Sequence, residues 1–197
     1  MTIPLKFLLF IVVAVILLFA FWLAYHETRT PQNQTEVMNR AIELQKEGRY
    51  DKAAQVIQNW INVSHDGLMY DQIAFVYIAK AYKKPANRDE SIRRAEESLQ
   101  KGLTFFDEQS QDDLSLEPFE IGGAYELLGD ISEKDKCPLY EKAHGLFVRQ
   151  LPLIKGDSYT AYGHTTPLEP VRRDVRKHLN ATTEKSSRVG CTIPSEK

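Results

Sequence analysis

One segment limits the architecture of this chain more than any other. Nineteen consecutive residues, from Phe7 to Tyr25, carry no charged side chain. At about 1.5 Å rise per residue, a helix of this length spans the roughly 30 Å hydrocarbon core of a bilayer. Trp22 and Tyr25 lie at its C-terminal end, where aromatic rings favour the membrane interface. The sequence therefore predicts a transmembrane anchor within residues 1–25 and a water-soluble domain after it.

A cleaved signal peptide is the alternative interpretation of this segment. Signal peptides have a shorter apolar region, followed by small residues that mark the cleavage site. Here residues 20–24 read Ala-Phe-Trp-Leu-Ala, which is not a clean small-x-small site. An uncleaved anchor is therefore favoured.

The charges that flank the segment predict its orientation. The amino group and Lys6 precede it, and Arg29 is the nearby cation that follows it. The positive-inside rule then places the N-terminus in the cytoplasm and the soluble domain outside it. A bacterial inner membrane and periplasm are favoured, and a eukaryotic organelle membrane remains open.

The two cysteines, Cys137 and Cys191, match neither a metal-binding nor a redox CxxC spacing. In an oxidising compartment they can form one disulfide. Two unrelated thiols are the alternative, because the polar stretch around Cys191 has no apolar periodicity to hold it in place.

The rest of the chain predicts an all-α fold. Residues 26–34 form a polar stalk, and residues 35–155 contain apolar residues at helical spacing in three successive pairs of segments. Residues 156–180 predict a loop and a capping helix, which would cover the exposed edge of the last pair. Residues 181–197 are polar, so a disordered tail is expected there.

The pairs resemble the tetratricopeptide repeat (TPR) family. The string Gly-Arg-Tyr-Asp-Lys-Ala-Ala at 48–54 is similar to its helix-to-helix signature. The repeat positions that carry the resemblance are Gly48, Tyr50, Ala53, Ala95 and Ala143. Ala53 and Ala95 are 42 residues apart, against about 34 in the standard repeat. The resemblance implies a short solenoid of about three helical hairpins with a peptide-binding groove, and a generic helical bundle is the alternative.

No motif for catalysis or cofactor binding is found. The sequence lacks a glycine-rich phosphate loop and an HExxH motif, and no two of its five histidines are spaced at i, i+4. We therefore expect no enzyme activity, no metal, no cofactor and no small-molecule substrate. The net charge of −2 gives no basis for nucleic-acid binding.

The charges are unevenly distributed. Residues 102–133 contain nine acidic side chains and no Lys or Arg, whereas residues 134–197 contain twelve Lys or Arg and seven acids. A solvated acidic surface and a basic tail that aids solubility are one interpretation. The other is an acidic face for a basic or unfolded partner, formed by Asp107, Glu108, Asp112 and Asp113.

Three functions are compatible with these patterns. A membrane-tethered adaptor, which binds a protein or peptide in its helical groove and assists translocation, assembly or quality control, is favoured. A structural subunit, held in a larger complex mainly by its transmembrane helix, is the alternative. An enzyme that uses the loop at 159–167 is the third, and no set of residues supports it.

Overall fold

The computed structural model describes residues 33–109, 117–161 and 164–193. The chain divides into two compact units, Met1–Glu36 and Val37–Lys197. The predicted membrane segment lies outside the described residues, and no helix within them is long and apolar enough to cross a bilayer. The predicted all-α class is confirmed for the described part of the chain, which forms seven α-helices and one short β-hairpin.

The elements, in chain order, are α1 (Gln34–Lys46), α2 (Tyr50–Ser64), α3 (Tyr70–Lys83), α4 (Arg88–Gln109), α5 (Glu117–Ile131), α6 (Lys136–Gln150), β1 (Ser158–Ala161), β2 (His164–Pro167) and α7 (Leu168–Arg188).

A tight turn at residues 47–49 connects α1 to α2. Gly48 has φ +73°, a left-handed conformation that glycine adopts without steric cost. The N–H of Arg49 donates to the carbonyl of Leu44 at 2.8 Å, which satisfies one free carbonyl at the end of α1. Tyr50 follows at once and is buried, and Ala53, one turn later, is completely buried. The residues of the predicted signature therefore form a helix–turn–helix.

Two further helical pairs follow. The most extensive contacts of the unit are those of α3 with α4 and of α5 with α6. Short turns join the members of each pair, so the two helices run in opposite directions. Ala95 and Ala143 are completely buried in the second helices of these pairs. Each pair also contacts the next, because α3 packs on α2 and α5 packs on both α3 and α4.

Short β-strands occupy part of the region predicted to be a loop. β1 and β2 pair antiparallel, with Ser158 opposite Pro167 and Ala161 opposite His164. The N–H of Leu168 then donates to the carbonyl of Asp157 at 2.9 Å, and α7 begins directly after the hairpin.

The helix α7 corrects the predicted boundary at residue 180 and the disordered tail after it. It packs on α6, as a capping helix would, but it continues to Arg188. Thr182 and Ser186 are buried on its inner side. The apolar pattern ends at Leu179, so the sequence does not reveal that small polar side chains continue the packed face.

A disulfide joins the region after α7 to the first turn of α6. Cys137 and Cys191 are bonded, with Cα atoms 5.4 Å apart. The N–H of Cys191 donates to the carbonyl of Ser186 at 2.9 Å, and its side chain is buried. The missing support that made this bond doubtful from sequence is supplied by the final turns of α7.

Candidate partner-binding surface

The acidic residues predicted to bind a partner are only partly within the described structure. Asp107 lies near the end of α4, where it forms an ion pair with Arg149 of α6. Glu108 is exposed to solvent. Asp112 and Asp113 lie outside the described residues. Binding of a partner by this group of four remains a prediction.

Several other acids of the same stretch are paired inside the fold. Glu126 accepts hydrogen bonds from Lys185 Nζ at 2.7 Å and contacts His178 Nδ1 at 2.8 Å. Asp130 also pairs with Lys185, at 2.6 Å, and Glu133 pairs with Arg88 at 2.6 Å. The cations come from positions 45 to 59 residues away, so a run of acids in sequence is not a uniformly acidic face in space.

The paired acids form a polar cluster between α5 and α7. Glu126 is only 5% exposed, and Lys185 bridges it to Asp130. Burial and the hydrogen bond to Asp130 raise the pKa of Tyr140 to about 12. Hydrogen bonds to Asp130 and Glu126 raise the pKa of Lys185, against the lowering by burial. Each acid here has a protein partner, so the cluster holds α7 on α5 and is not a free site.

A surface of exposed and half-buried residues lies on the first helix of each pair. We call it the first-helix surface. On each helix its members are spaced three or four residues apart, so they share one face. On α1 they are Met38, Ile42 and Gln45; on α3 they are Gln72, Phe75, Ala79 and Tyr82; on α5 they are Glu120, Gly123 and Leu127. Among them are three of the seven large apolar side chains that are exposed within the described residues: Ile42, Tyr82 and Leu127, at 42%, 52% and 37% exposure.

The remaining sides of α5 are covered. Ile121 faces α4, where a Cβ built on Gly102 would lie 3.6 Å from its Cδ1. Phe147 and Tyr140 of α6 pack on two glycine positions of α5, and Glu126 faces α7. Glu120, Gly123 and Leu127 lie on the side that none of these contacts occupies. A Cβ built on Gly123 meets no atom within 4 Å, and Leu127 is 37% exposed.

A carboxyl pair lies at the junction of α3 and α5, at the edge of the first-helix surface. Asp71 is only 2% exposed and accepts a hydrogen bond from Gln72 Nε2 at 2.8 Å. Burial, followed by the negative charge of Glu120, raises the pKa of Asp71 to about 7. The proton on Asp71 therefore exchanges near neutral pH, and the charge at this edge depends on pH.

A second groove, of about 440 Å³, lies between α2, α3 and α4. Its floor includes Ile73 and Tyr77, and its walls are polar. Lys80 Nζ donates to Asp51 at 2.7 Å, and Arg94 donates to the Tyr77 hydroxyl at 3.2 Å. These contacts pair polar groups of the groove with one another.

The described residues contain no group of three or more His, Cys, Asp or Glu side chains that could hold a metal ion. Sequence reasoning identified the buried repeat positions but missed the first-helix surface. The available signal was a second stripe of apolar residues, offset by one position from the buried stripe of the same helix. Comparison with protein-family models, with curated proteins and with solved structures finds no match.

Proposed function

We propose that this protein is a membrane-tethered adaptor, whose TPR-like helical pairs bind a segment of a partner protein on the first-helix surface. The observation that carries the proposal is that α1, α3 and α5 each place one exposed large apolar side chain on this surface, namely Ile42, Tyr82 and Leu127. A repeat solenoid uses the same face of each repeat to form one extended binding surface. Scattered exposed apolar residues are common in proteins, whereas a regular series at equivalent positions is typical of binding surfaces.

The mode of binding follows from the chemistry of the surface. Met38, Phe75 and Leu127 offer apolar contacts, and Gln45 and Gln72 offer amide groups that can bond to a backbone. Such a surface suits an amphipathic helix or an extended peptide with apolar anchors. Burying a large apolar side chain contributes about 1.5–3 kcal/mol, so two or three anchors suffice for a reversible complex.

Two features support the proposed location outside the cytoplasm. The apolar segment at 7–25 is long enough for an anchor, with the small charge bias described above. The disulfide between Cys137 and Cys191 is of a kind that persists in oxidising compartments. In this proposal the anchor concentrates the first-helix surface at a membrane, where its partner is inserted, assembled or degraded.

Site-specific photocrosslinking in the full-length protein tests the proposal. A photoreactive amino acid at Ala79 or Leu127 should capture a discrete partner in membranes from the source cells. The same group at Gln100 or Glu141, which are exposed on second helices, should capture none. Equal capture at all four positions, or at none, would contradict the proposed surface.

Matched variants distinguish partner binding by the first-helix surface from partner binding by the transmembrane anchor. Ile42→Ser and Tyr82→Ser should weaken the capture, whereas Val63→Ser should not, because Val63 is 70% exposed but lies outside the first-helix surface. Replacement of residues 7–25 by an unrelated transmembrane segment should leave the capture intact. Loss of the partner on that replacement, with no effect of Tyr82→Ser, would favour the structural-subunit alternative.

A further inference from the structure

A group of exposed cations is concentrated on the outer side of α7. Arg173, Arg176 and Lys177 are all exposed. Arg173 and Lys177 lie opposite the buried residues Val175 and Thr182 in the helical rotation, and Arg176 lies beside them on the flank of the helix. We call these three residues, together with Lys155, the basic patch.

Lys155 is brought to the patch by contacts of Arg172. One guanidinium nitrogen of Arg172 donates to the carbonyls of Ile154 and Gly156, at 3.3 and 2.6 Å. These two residues flank Lys155, and Arg176 follows Arg172 by one helical turn. The backbone on both sides of Lys155 is therefore held against α7 at Arg172.

The cations of the basic patch are not paired with carboxylates of the described residues. Among the residues that the structure describes, no carboxylate forms an ion pair with Lys155, Arg173, Arg176 or Lys177, and Glu169 is engaged with Arg172. Two exposed acids lie beside the patch, Asp174 on α7 and Asp157 two residues after Lys155. Like charges at i, i+4, as in Arg173 and Lys177, weaken a helix.

The exposed face of α4 differs from the basic patch, because its cations are paired with carboxylates. There Glu90 and Glu97 pair with Arg93, and Glu90 also pairs with Arg94. Pairs at i, i+3 and i, i+4 support the helix and neutralise its exposed face. Arg173, Arg176 and Lys177 of α7 form no such pairs, in contrast to Arg172, Lys185 and Arg188 of the same helix.

We propose that the basic patch binds the anionic phospholipid headgroups of the membrane in which the protein is anchored. This inference rests on the membrane location in the proposed function. The stalk at 26–34 reaches at most about 30 Å even when fully extended, so an anchored domain stays close to the bilayer. The whole chain has a net charge of −2, which disfavours nucleic acid as the occupant, while a local cluster of cations suits a membrane surface.

Docking through the basic patch would restrict the rotation of the domain about its stalk. Each cation near an anionic leaflet shifts the equilibrium by about 1 kcal/mol, which is roughly fivefold. Removal of two cations should therefore reduce the ratio of docked to undocked domain by roughly 25-fold. A fixed orientation would present the first-helix surface to partners at a constant height above the bilayer.

The test uses the full-length protein in lipid nanodiscs. A fluorescent amino acid replaces Asn180, which is exposed one turn beyond Arg176, and a quencher is attached to lipid headgroups. With nanodiscs rich in phosphatidylglycerol, quenching should be strong at low salt and weak at 1 M salt, where the Debye length is about 3 Å. With phosphatidylcholine alone, quenching should be weak.

Matched charge variants provide the decisive comparison. Arg173→Glu with Lys177→Glu should abolish the lipid-dependent quenching. Lys46→Glu with Lys83→Glu changes the net charge equally at exposed lysines outside the basic patch, and should leave the quenching unchanged.

Three outcomes would overturn the inference: equal quenching in both lipids, no quenching in either, or saturable binding of the basic patch to DNA or polyglutamate but not to phosphatidylglycerol. Failure of the protein to remain with the nanodiscs would instead refute the membrane location of the proposed function as well.

Discussion

The contact between α5 and α6 predicts both the direction and the size of the stability change that Gly129→Ala causes. A Cβ added at Gly129 would lie 2.5 Å from Cε1 and 2.7 Å from Cδ1 of Tyr140. The ring cannot easily withdraw, because its hydroxyl donates to Asp130 at 2.9 Å and its side chain is buried. Gly129→Ala therefore either displaces α6 or breaks this hydrogen bond.

Two opposing effects set the change in the free energy of unfolding that Gly129→Ala causes. Alanine is favoured over glycine within a helix by about 1 kcal/mol. Overpacking costs about 1–3 kcal/mol, and loss of the Tyr140 hydrogen bond costs about 1 kcal/mol. The expected net effect is a destabilisation of about 1–3 kcal/mol, which lowers the melting temperature by roughly 2–12 °C for a unit of this size.

The same helix supplies the control. A Cβ at Gly123 meets no atom within 4 Å, so Gly123→Ala should stabilise the protein by up to about 1 kcal/mol. Urea denaturation of the full-length protein in detergent, followed by circular dichroism, measures both variants. If Gly129→Ala is as stable as Gly123→Ala, with an unchanged dependence on urea, the close approach of α5 and α6 does not exist.

Four further predictions concern other parts of the fold. Ala53→Leu should cost about 1–3 kcal/mol, since Ala53 is completely buried, and an unchanged denaturation midpoint would contradict the packing of α2. The pKa of Asp71 is raised from 3.8 to about 7, so the folded state binds more protons than the unfolded state between these values. Stability should therefore fall as the pH rises from about 4 to 7, and Asp71→Asn should flatten this part of the pH–stability curve. Cys191→Ser should lower the free energy of unfolding by up to about 4 kcal/mol, and the variant should no longer respond to reductant. Charge reversal at Asp112 and Asp113 should slow partner association measured by surface plasmon resonance, whereas an unchanged rate at low salt would leave these acids without a role in binding.

Local patterns were enough to predict the helical class and the first helical pair. Gly48, Tyr50 and Ala53 each act within one turn of their own position, so a short string of sequence contains the information for that structure. The apolar spacing likewise predicted helices over most of the residues that the structure describes. These inferences succeed because helix formation and turn geometry depend mainly on neighbours in the chain.

Contacts between distant positions were decided by the tertiary structure. The acidic stretch looked like one face, but Lys185 and Arg88 neutralise its members across 45 or more residues. The end of α7 lacked apolar periodicity, yet Thr182 and Ser186 are small enough to pack, and they bring Cys191 to Cys137. Charge pairing and side-chain volume act between segments that the sequence separates, so they become visible only when the helices are assembled. The sequence by itself determined the helices, whereas the arrangement of the helices decided which apolar positions stay uncovered and which charges remain available to a partner.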